Sequence, residues 1–240
     1  MCDTCGCGER TGEVQVTLPT RIPVVEKILN ANDAAAEENR DHLRAHGITA
    51  INIMASPGAG KTQLLLATIE ALKDRVRLGV IEGDTASQID AERVATTGVP
   101  VVQINTGGGC HLDAPMVHRA LHALPLDEIE LLFIENVGNL ICPVAFDLGQ
   151  DYRVALLSVP EGDDKPYKYP AIFEAVDLVI ITKIDLLPYL DFDVSRFEAL
   201  VRALNPRAPI LKLSAKTGEG VASWLAWLEA RRGHPQEGSH

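Results

Sequence analysis

Aromatic residues are scarce, at 5% of a 240-residue chain, and basic ones are outnumbered, 22 Lys and Arg against 33 Asp and Glu. The net charge of −11 disfavours broad contact with a phosphate backbone, so no nucleic-acid partner is expected, whereas a nucleotide held in one local loop stays compatible. No apolar run reaches the roughly 18 residues that a membrane helix needs, so no membrane partner is expected either. The N-terminus carries neither the basic nor the apolar segment of a secretory signal. A cytoplasmic chain is therefore expected, its five cysteines serving metals or catalysis rather than disulfides. With 19 Gly and 14 Pro, collagen-like and low-complexity classes are excluded. What is present, 46% hydrophobic and 23% charged residues, suffices for one well-buried domain with a short appendage.

Residues 1–20 show little hydrophobic periodicity and read as a tail. Residues 21–47 read as an N-terminal helix, with Pro23 suiting its first turn and Gly47 stopping it. Its middle, residues 32–40, is rich in Ala and Glu and is expected to lie outside the core. Over 48–232 the pattern changes: short apolar runs at 49–54, 77–81, 100–104, 130–135, 153–159, 177–182 and 209–213 alternate with amphipathic stretches such as 63–72, 195–204 and 221–228. Strands apolar on both faces, alternating with helices, predict an α/β fold: a mostly parallel sheet of about seven strands covered on both sides. Residues 233–240 read as a frayed end.

Ala55-Ser56-Pro57-Gly58-Ala59-Gly60-Lys61-Thr62 joins the first expected strand to the first expected helix, the context a phosphate-binding P-loop requires. Gly58 and Gly60 let backbone N–H groups converge on phosphate oxygens at the positive end of the helix. Lys61 is expected to reach the β- and γ-phosphates, and the Thr62 hydroxyl to ligate Mg²⁺. Ala55 stands where the motif has its first glycine. The fold class is accordingly that of P-loop NTPases, and the ligand a nucleoside triphosphate.

Thr182-Lys183-Ile184-Asp185 and Ser214-Ala215-Lys216 close two successive strands. A carboxylate at Asp185 can accept two N–H bonds from a guanine edge, and a backbone N–H of the second motif can meet O6. The pair resembles the guanine-reading elements of GTPases, with Thr182 where Asn is usual. Glu135-Asn-Val-Gly138 resembles their switch segment, Glu replacing Asp, with Gly138 able to donate its N–H to a γ-phosphate. Asp84, closing Glu82-Gly83-Asp84, or Asp90 could hold Mg²⁺ or orient the attacking water. No arginine finger or catalytic glutamine is evident, so slow intrinsic hydrolysis is expected.

Cys110 and His111 follow the third strand and Cys142 the fourth, so all three are expected at the carboxyl edge of the sheet. Two thiolates and an imidazole suit Zn²⁺, Ni²⁺ or copper rather than Mg²⁺, and three ligands leave a position open or invite a second subunit. The alternative is two structural cysteines and a loop histidine. Cys2, Cys5 and Cys7, with Gly6 permitting a tight bend, can wrap one soft ion, the Cys2 α-amine being a possible fourth donor once Met1 is removed. His118 and His122, spaced i, i+4 near Met116, are either a metal pair or a solvated helix face. Leu186, Leu187, Tyr189, Leu190 and Phe192 are either core or a dimer contact.

Together, the N-terminal Cys-x-x-Cys-Gly-Cys, the Ser-Pro-Gly-Ala-Gly-Lys-Thr loop, Glu-Gly-Asp, Gly-Cys-His, Glu-Asn-Val-Gly-Asn-Leu-x-Cys-Pro and Thr-Lys-Ile-Asp resemble the HypB family of hydrogenase nickel-incorporation GTPases, in the SIMIBI class of P-loop proteins. The likeness spans nearly the whole chain. It implies GTP hydrolysis to GDP, a homodimer formed around nucleotide and metal, and nickel delivery to the precursor of the [NiFe]-hydrogenase large subunit. A HypA-like metallochaperone, and in some cases SlyD, are implied partners. It further implies a nickel site at Cys2, Cys5 and Cys7, a GTPase-domain site at Cys110, His111 and Cys142, and a lysine, Lys165 or Lys168, reaching across the dimer toward nucleotide. The absence of a His-rich stretch disfavours nickel storage. The alternatives are a urease-accessory GTPase of the UreG kind, which needs no N-terminal thiol cluster, and a metal buffer whose P-loop is only structural.

Overall fold

Alternating apolar runs and amphipathic segments assemble into seven strands and eight α-helices among the described residues, which are 24–85 and 89–233 of this computed structural model, with side chains from residue 28 on. The strands are β1 (Thr49–Ala55), β2 (Leu78–Asp84), β3 (Val101–Asn105), β4 (Leu131–Glu135), β5 (Tyr152–Ser158), β6 (Leu178–Thr182) and β7 (Ile210–Lys212). All pair in parallel, in the order β3-β2-β4-β1-β5-β6-β7. Each lies close to the run that predicted it; the order was not legible in the sequence. β4 is inserted between β1 and β2, which brings Glu82 into register with Glu135.

The helices are α1 (Val24–Ala45), α2 (Lys61–Leu72), α3 (Ile89–Ala95), α4 (Ala114–Leu121), α5 (Lys165–Lys168), α6 (Pro170–Glu174), α7 (Val194–Leu204) and α8 (Val221–Glu229). On one face α2, α3 and α8 pack Leu64, Ile69, Val94, Trp224 and Leu228 against Ile51, Phe133, Val154 and Ile180. On the other, α1 and α4 cover Ala50, Ile81 and Leu132, while α6 and α7 cover Ala155, Leu157 and Val179. Successive residues of one strand thus serve opposite faces, as the pleat dictates. Asp113 and Asp193 cap α4 and α7 by accepting from Met116 N and Arg196 N. The turn after α1 closes at Gly47, whose φ of +66° a residue with a Cβ adopts only with strain.

The middle of α1 corrects the sequence expectation. Its Asn32, Ala36 and Asn39 are buried, at 3%, 1% and 0% exposure. Asn39 Nδ2 donates to Ala114 O and Leu148 O, Asn32 Nδ2 donates to Asp147 O, and Asn32 Oδ1 accepts from Ala114 N. A polar stretch becomes core because its amides satisfy backbone groups at the start of α4 and in the loop before β5, which an apolar residue would leave unpaired. Gly149 permits the approach, since a Cβ there would stand 2.5 Å from Ala36 O. Among the described residues no helix is long and apolar enough to cross a membrane.

The expectations for residues 1–20, including Cys2, Cys5 and Cys7, and for 234–240 fall outside the described residues.

Candidate functional site

In a parallel sheet the loops after successive strands emerge at one edge, and the ends of β1, β2, β3, β4, β6 and β7 with the segments that follow them carry the described phosphate, base and thiol candidates; Asp90 lies on α3, Lys165 and Lys168 on α5, and His118 and His122 at the end of α4. After β1, the backbone turns through Gly58 (φ +74°) and Gly60 (φ +97°) into α2. Ala55 is the last residue of β1, fully buried, and needs no left-handed backbone, so the missing first glycine is accommodated as ordinary strand. The loop is fastened from β6: the Thr182 hydroxyl donates to Ala59 O at 2.6 Å, and Lys183 Nζ to Gly58 O at 2.6 Å. Threonine thus does here what asparagine does in the usual motif. Gly138 presses on the loop from the β4 side, where an added Cβ would come within 2.9 Å of Pro57 N and Cα.

These segments enclose a cavity of about 520 Å³ lined by Gly58, Gly60, Lys61, Thr62, Glu82, Asp84, Asp90, Glu135, Gly138 and Lys183, with Gln63 and Arg93. Thr62 Oγ1 donates to Glu135 Oε1 at 2.8 Å. Burial pushes the Glu135 carboxyl up, opposed by Lys61 and the Thr62 bond. Burial, then the Glu135, Asp84 and Asp90 charges, pushes Glu82 up to about 8. Glu82 Oε2 and Glu135 Oε2 have no hydrogen-bond partner. An all-oxygen donor set with orphaned carboxylate oxygens beside a phosphate loop fits Mg²⁺, which prefers such ligands.

Sequence reasoning missed Glu82, Arg93 and Asn136. Glu82 lies within the Glu-Gly-Asp motif, but its register with Glu135 depends on strand order. Arg93 lines the cavity and is held by Asp90 at 3.1 Å and Gln63 at 3.2 Å. Asn136 accepts from Leu112 N at 3.2 Å and donates to Asn52 Oδ1 at 3.3 Å, tying the segment after β4 to the loop that carries His111.

On the far side of Lys183, Ser214 Oγ donates to Asp185 Oδ1 at 2.6 Å and accepts from Thr217 N at 3.2 Å, so the two guanine-motif residues meet. Ala215 is half-buried and Lys216 exposed. Lys165 and Lys168 do not line the cavity; Lys168 pairs with Asp164 and Lys165 lies over the Tyr169 ring.

The donor atoms of Cys110, His111 and Cys142 lie within 4.8 Å of one another, with Cys110 Sγ 3.5 Å from His111 Nδ1. The neighbouring Cys110 sulfur raises the Cys142 thiol, and burial lowers the His111 imidazole. The shift of His111 favours its neutral ring, whose lone pair a cation can take. His111 stacks on Phe146, and Asn139 Nδ2 donates to Cys110 O at 3.3 Å. Gly138, against the phosphate loop, and Cys142 belong to one short strap.

Parallel strand order, phosphate loop and acidic cavity define a P-loop nucleoside-triphosphate-binding protein of the NTPase class. Residues 49–212 match the family described as CobW/HypB/UreG, nucleotide-binding domain. The hydrogenase maturation factor HypB of Azotobacter vinelandii is 54% identical over 210 residues, spanning 88% of this chain and 69% of that one. The crystal structure of HypB from Archaeoglobus fulgidus superposes with a TM-score of 0.79 at 44% identity, covering 84% of this chain and 98% of that one. The crystal structure of HypB from Helicobacter pylori in complex with nickel gives 0.82 at 38% identity, covering 88% and 100%. The chain belongs to the HypB hydrogenase maturation factors of the CobW/HypB/UreG family.

Proposed function

We propose that the chain is a slow GTPase that uses its nucleotide state to gate a nickel site and delivers the ion to a hydrogenase large-subunit precursor. The observation that carries this reading is the strap from Glu135 to Cys142. Gly138 rests on Pro57, Asn136 holds the loop beside His111, Asn139 holds Cys110, and Cys142 follows. A γ-phosphate that draws in Gly138 N–H therefore moves two of the three donor residues, a differential contact of the kind switching requires.

In this mechanism the P-loop N–H groups and Lys61 bind the phosphates, Asp185, oriented by Ser214, reads guanine, and Lys183 flanks the loop. Thr62, Asp84 and Glu135 would hold Mg²⁺, with Glu82 beside them; the ion supplies charge neutralisation at the β- and γ-phosphates. The pairing of Arg93 with Asp90 supports a slow intrinsic turnover. Nickel is the cargo, taken at Cys110, His111 and Cys142, and Zn²⁺ can occupy the same ligands. Exposed Tyr167 (80%) and Tyr189 (79%) support a homodimer face along which Lys165 or Lys168 reaches the partner's nucleotide. Cys2, Cys5 and Cys7 act as a second nickel-binding segment, and a HypA-like chaperone, with SlyD, supplies the ion.

The test is the nickel affinity of the Cys2→Ser/Cys5→Ser/Cys7→Ser variant with GDP and with a non-hydrolysable GTP analogue. A shift of tenfold or more, about 1.4 kcal/mol of coupling, is expected. Equal affinities would refute gating and favour a metal buffer with a structural P-loop.

A further inference from the structure

Away from the cavity and the thiol pair, four imidazoles converge where α1 meets α4. His118 and His122 stand one turn apart at the end of α4, their Nε2 atoms 3.1 Å from each other. The His42 ring of α1 is centred 5.3 Å from that of His122, and the His46 ring 5.1 Å from that of His42. His122 is exposed and the other three are half-buried, so the group opens to solvent.

The hydrogen bonds decide which nitrogens carry lone pairs. Asn39 spends its amide N–H groups on Ala114 O and Leu148 O, so its Oδ1 faces His118 Nδ1 at 2.9 Å as an acceptor. His118 Nδ1 must then carry the proton, and in the neutral ring Nε2 presents a lone pair toward His122. A buried amide oxygen holding the remote N–H of an imidazole is the outer-shell arrangement that orients metal-binding histidines. His46 Nδ1 likewise donates to His42 O at 2.9 Å, which leaves its Nε2 facing Asp127 at 3.7 Å.

The spacing suits a shared ion. With metal–nitrogen bonds of about 2.0–2.1 Å, two donors on one ion lie about 3.0 Å apart at a right angle and about 3.4 Å apart at the tetrahedral angle. The observed 3.1 Å falls between these limits. With each ring centre a little over about 1 Å beyond its nitrogen, ring centres on one ion lie about 4.5–5.2 Å apart. The His118–His122 value, 4.7 Å, lies inside this range, and the His42–His122 value, 5.3 Å, lies just beyond it.

We propose that His118, His122 and His42 form a second metal site, for a divalent transition ion of the imidazole-preferring class, Ni²⁺ or Zn²⁺. The α4 pair supplies two preoriented Nε2 donors, and His42 completes the set by a change of rotamer. The ion replaces the proton that His122 Nε2 shares with His118 Nε2. The site needs no nucleotide and no thiol, so it is separable from the reading above.

The test uses the full chain and zinc alone as probe. Bound zinc is counted by equilibrium dialysis for the unaltered chain and for His122→Ala, whose exposed ring meets the imidazoles of His118 and His42 and makes no hydrogen bond to Asn39 among those that hold it. In parallel, the imidazole ¹⁵N resonances of His42, His118 and His122 are followed as zinc is added. We expect one fewer zinc per chain in His122→Ala at matched free zinc, and movement of all three imidazoles. An unchanged zinc count overturns the site. Movement of the α4 pair without His42 overturns the three-ligand assignment.

Discussion

Replacing Glu82 by Gln isolates the electrostatic load that the cavity carries before nucleotide and metal arrive. Glu82 is 3% exposed, and its carboxyl is pushed from 4.5 to about 8 by burial and by Glu135, Asp84 and Asp90. Below about pH 4.5 the group is protonated both folded and unfolded, and it contributes nothing to the pH dependence. Between 4.5 and 8 the unfolded chain has lost the proton and the folded chain keeps it, so stability falls as pH rises. Above 8 the penalty is constant. At about 1.36 kcal/mol per pH unit the upper limit is roughly 5 kcal/mol, and water in the open cavity reduces this to a few kcal/mol. The assay is urea unfolding of the nucleotide-free chain in EDTA at intervals from pH 5 to 9. The expected result is a stability advantage for Glu82→Gln that grows by about 2–4 kcal/mol across pH 5–8 and then levels off. An advantage independent of pH would refute the reasoning.

Gly138→Ala would set a Cβ 2.9 Å from the Pro57 backbone; overpacking of about 1–3 kcal/mol is expected to weaken nucleotide binding about 10- to 100-fold, measured with a fluorescent GTP analogue. Thr182→Val removes the 2.6 Å bond to Ala59 O, and the loss of that loop tether is expected to lower stability by about 1–3 kcal/mol in urea titration and to weaken GDP binding. Asn39→Leu leaves Ala114 O, Leu148 O and His118 without their partner; a loss of about 2–4 kcal/mol is expected by urea unfolding, larger than for Ala36→Gly on the same helix.

Strand and helix positions were legible because local pattern determines them: a strand buried on both faces must be apolar throughout, and the glycines at 58 and 60 are required by the left-handed turns they make. The P-loop, Asp185, Ser214 and the thiol–imidazole trio could be named for the same reason, since each is a short motif whose chemistry depends on residue type and spacing. The polar middle of α1 misled, because hydropathy does not reveal that Asn32 and Asn39 bond to carbonyl and amide groups more than 70 positions away. Only the tertiary structure decided the rest. Inserting β4 between β1 and β2 places Glu82 against Glu135, whose charge adds to burial in raising Glu82, turning two strand residues into the acidic floor of the cavity. Docking α1 on α4 gathers four histidines at the ends of two helices distant in sequence and fixes the His118 tautomer through Asn39. The sequence by itself determined which chemical groups the chain possesses and the local shapes that present them. Their distances, and therefore their charges and partners, were decided by packing, because electrostatic and hydrogen-bond energies depend on separations that a linear pattern does not contain.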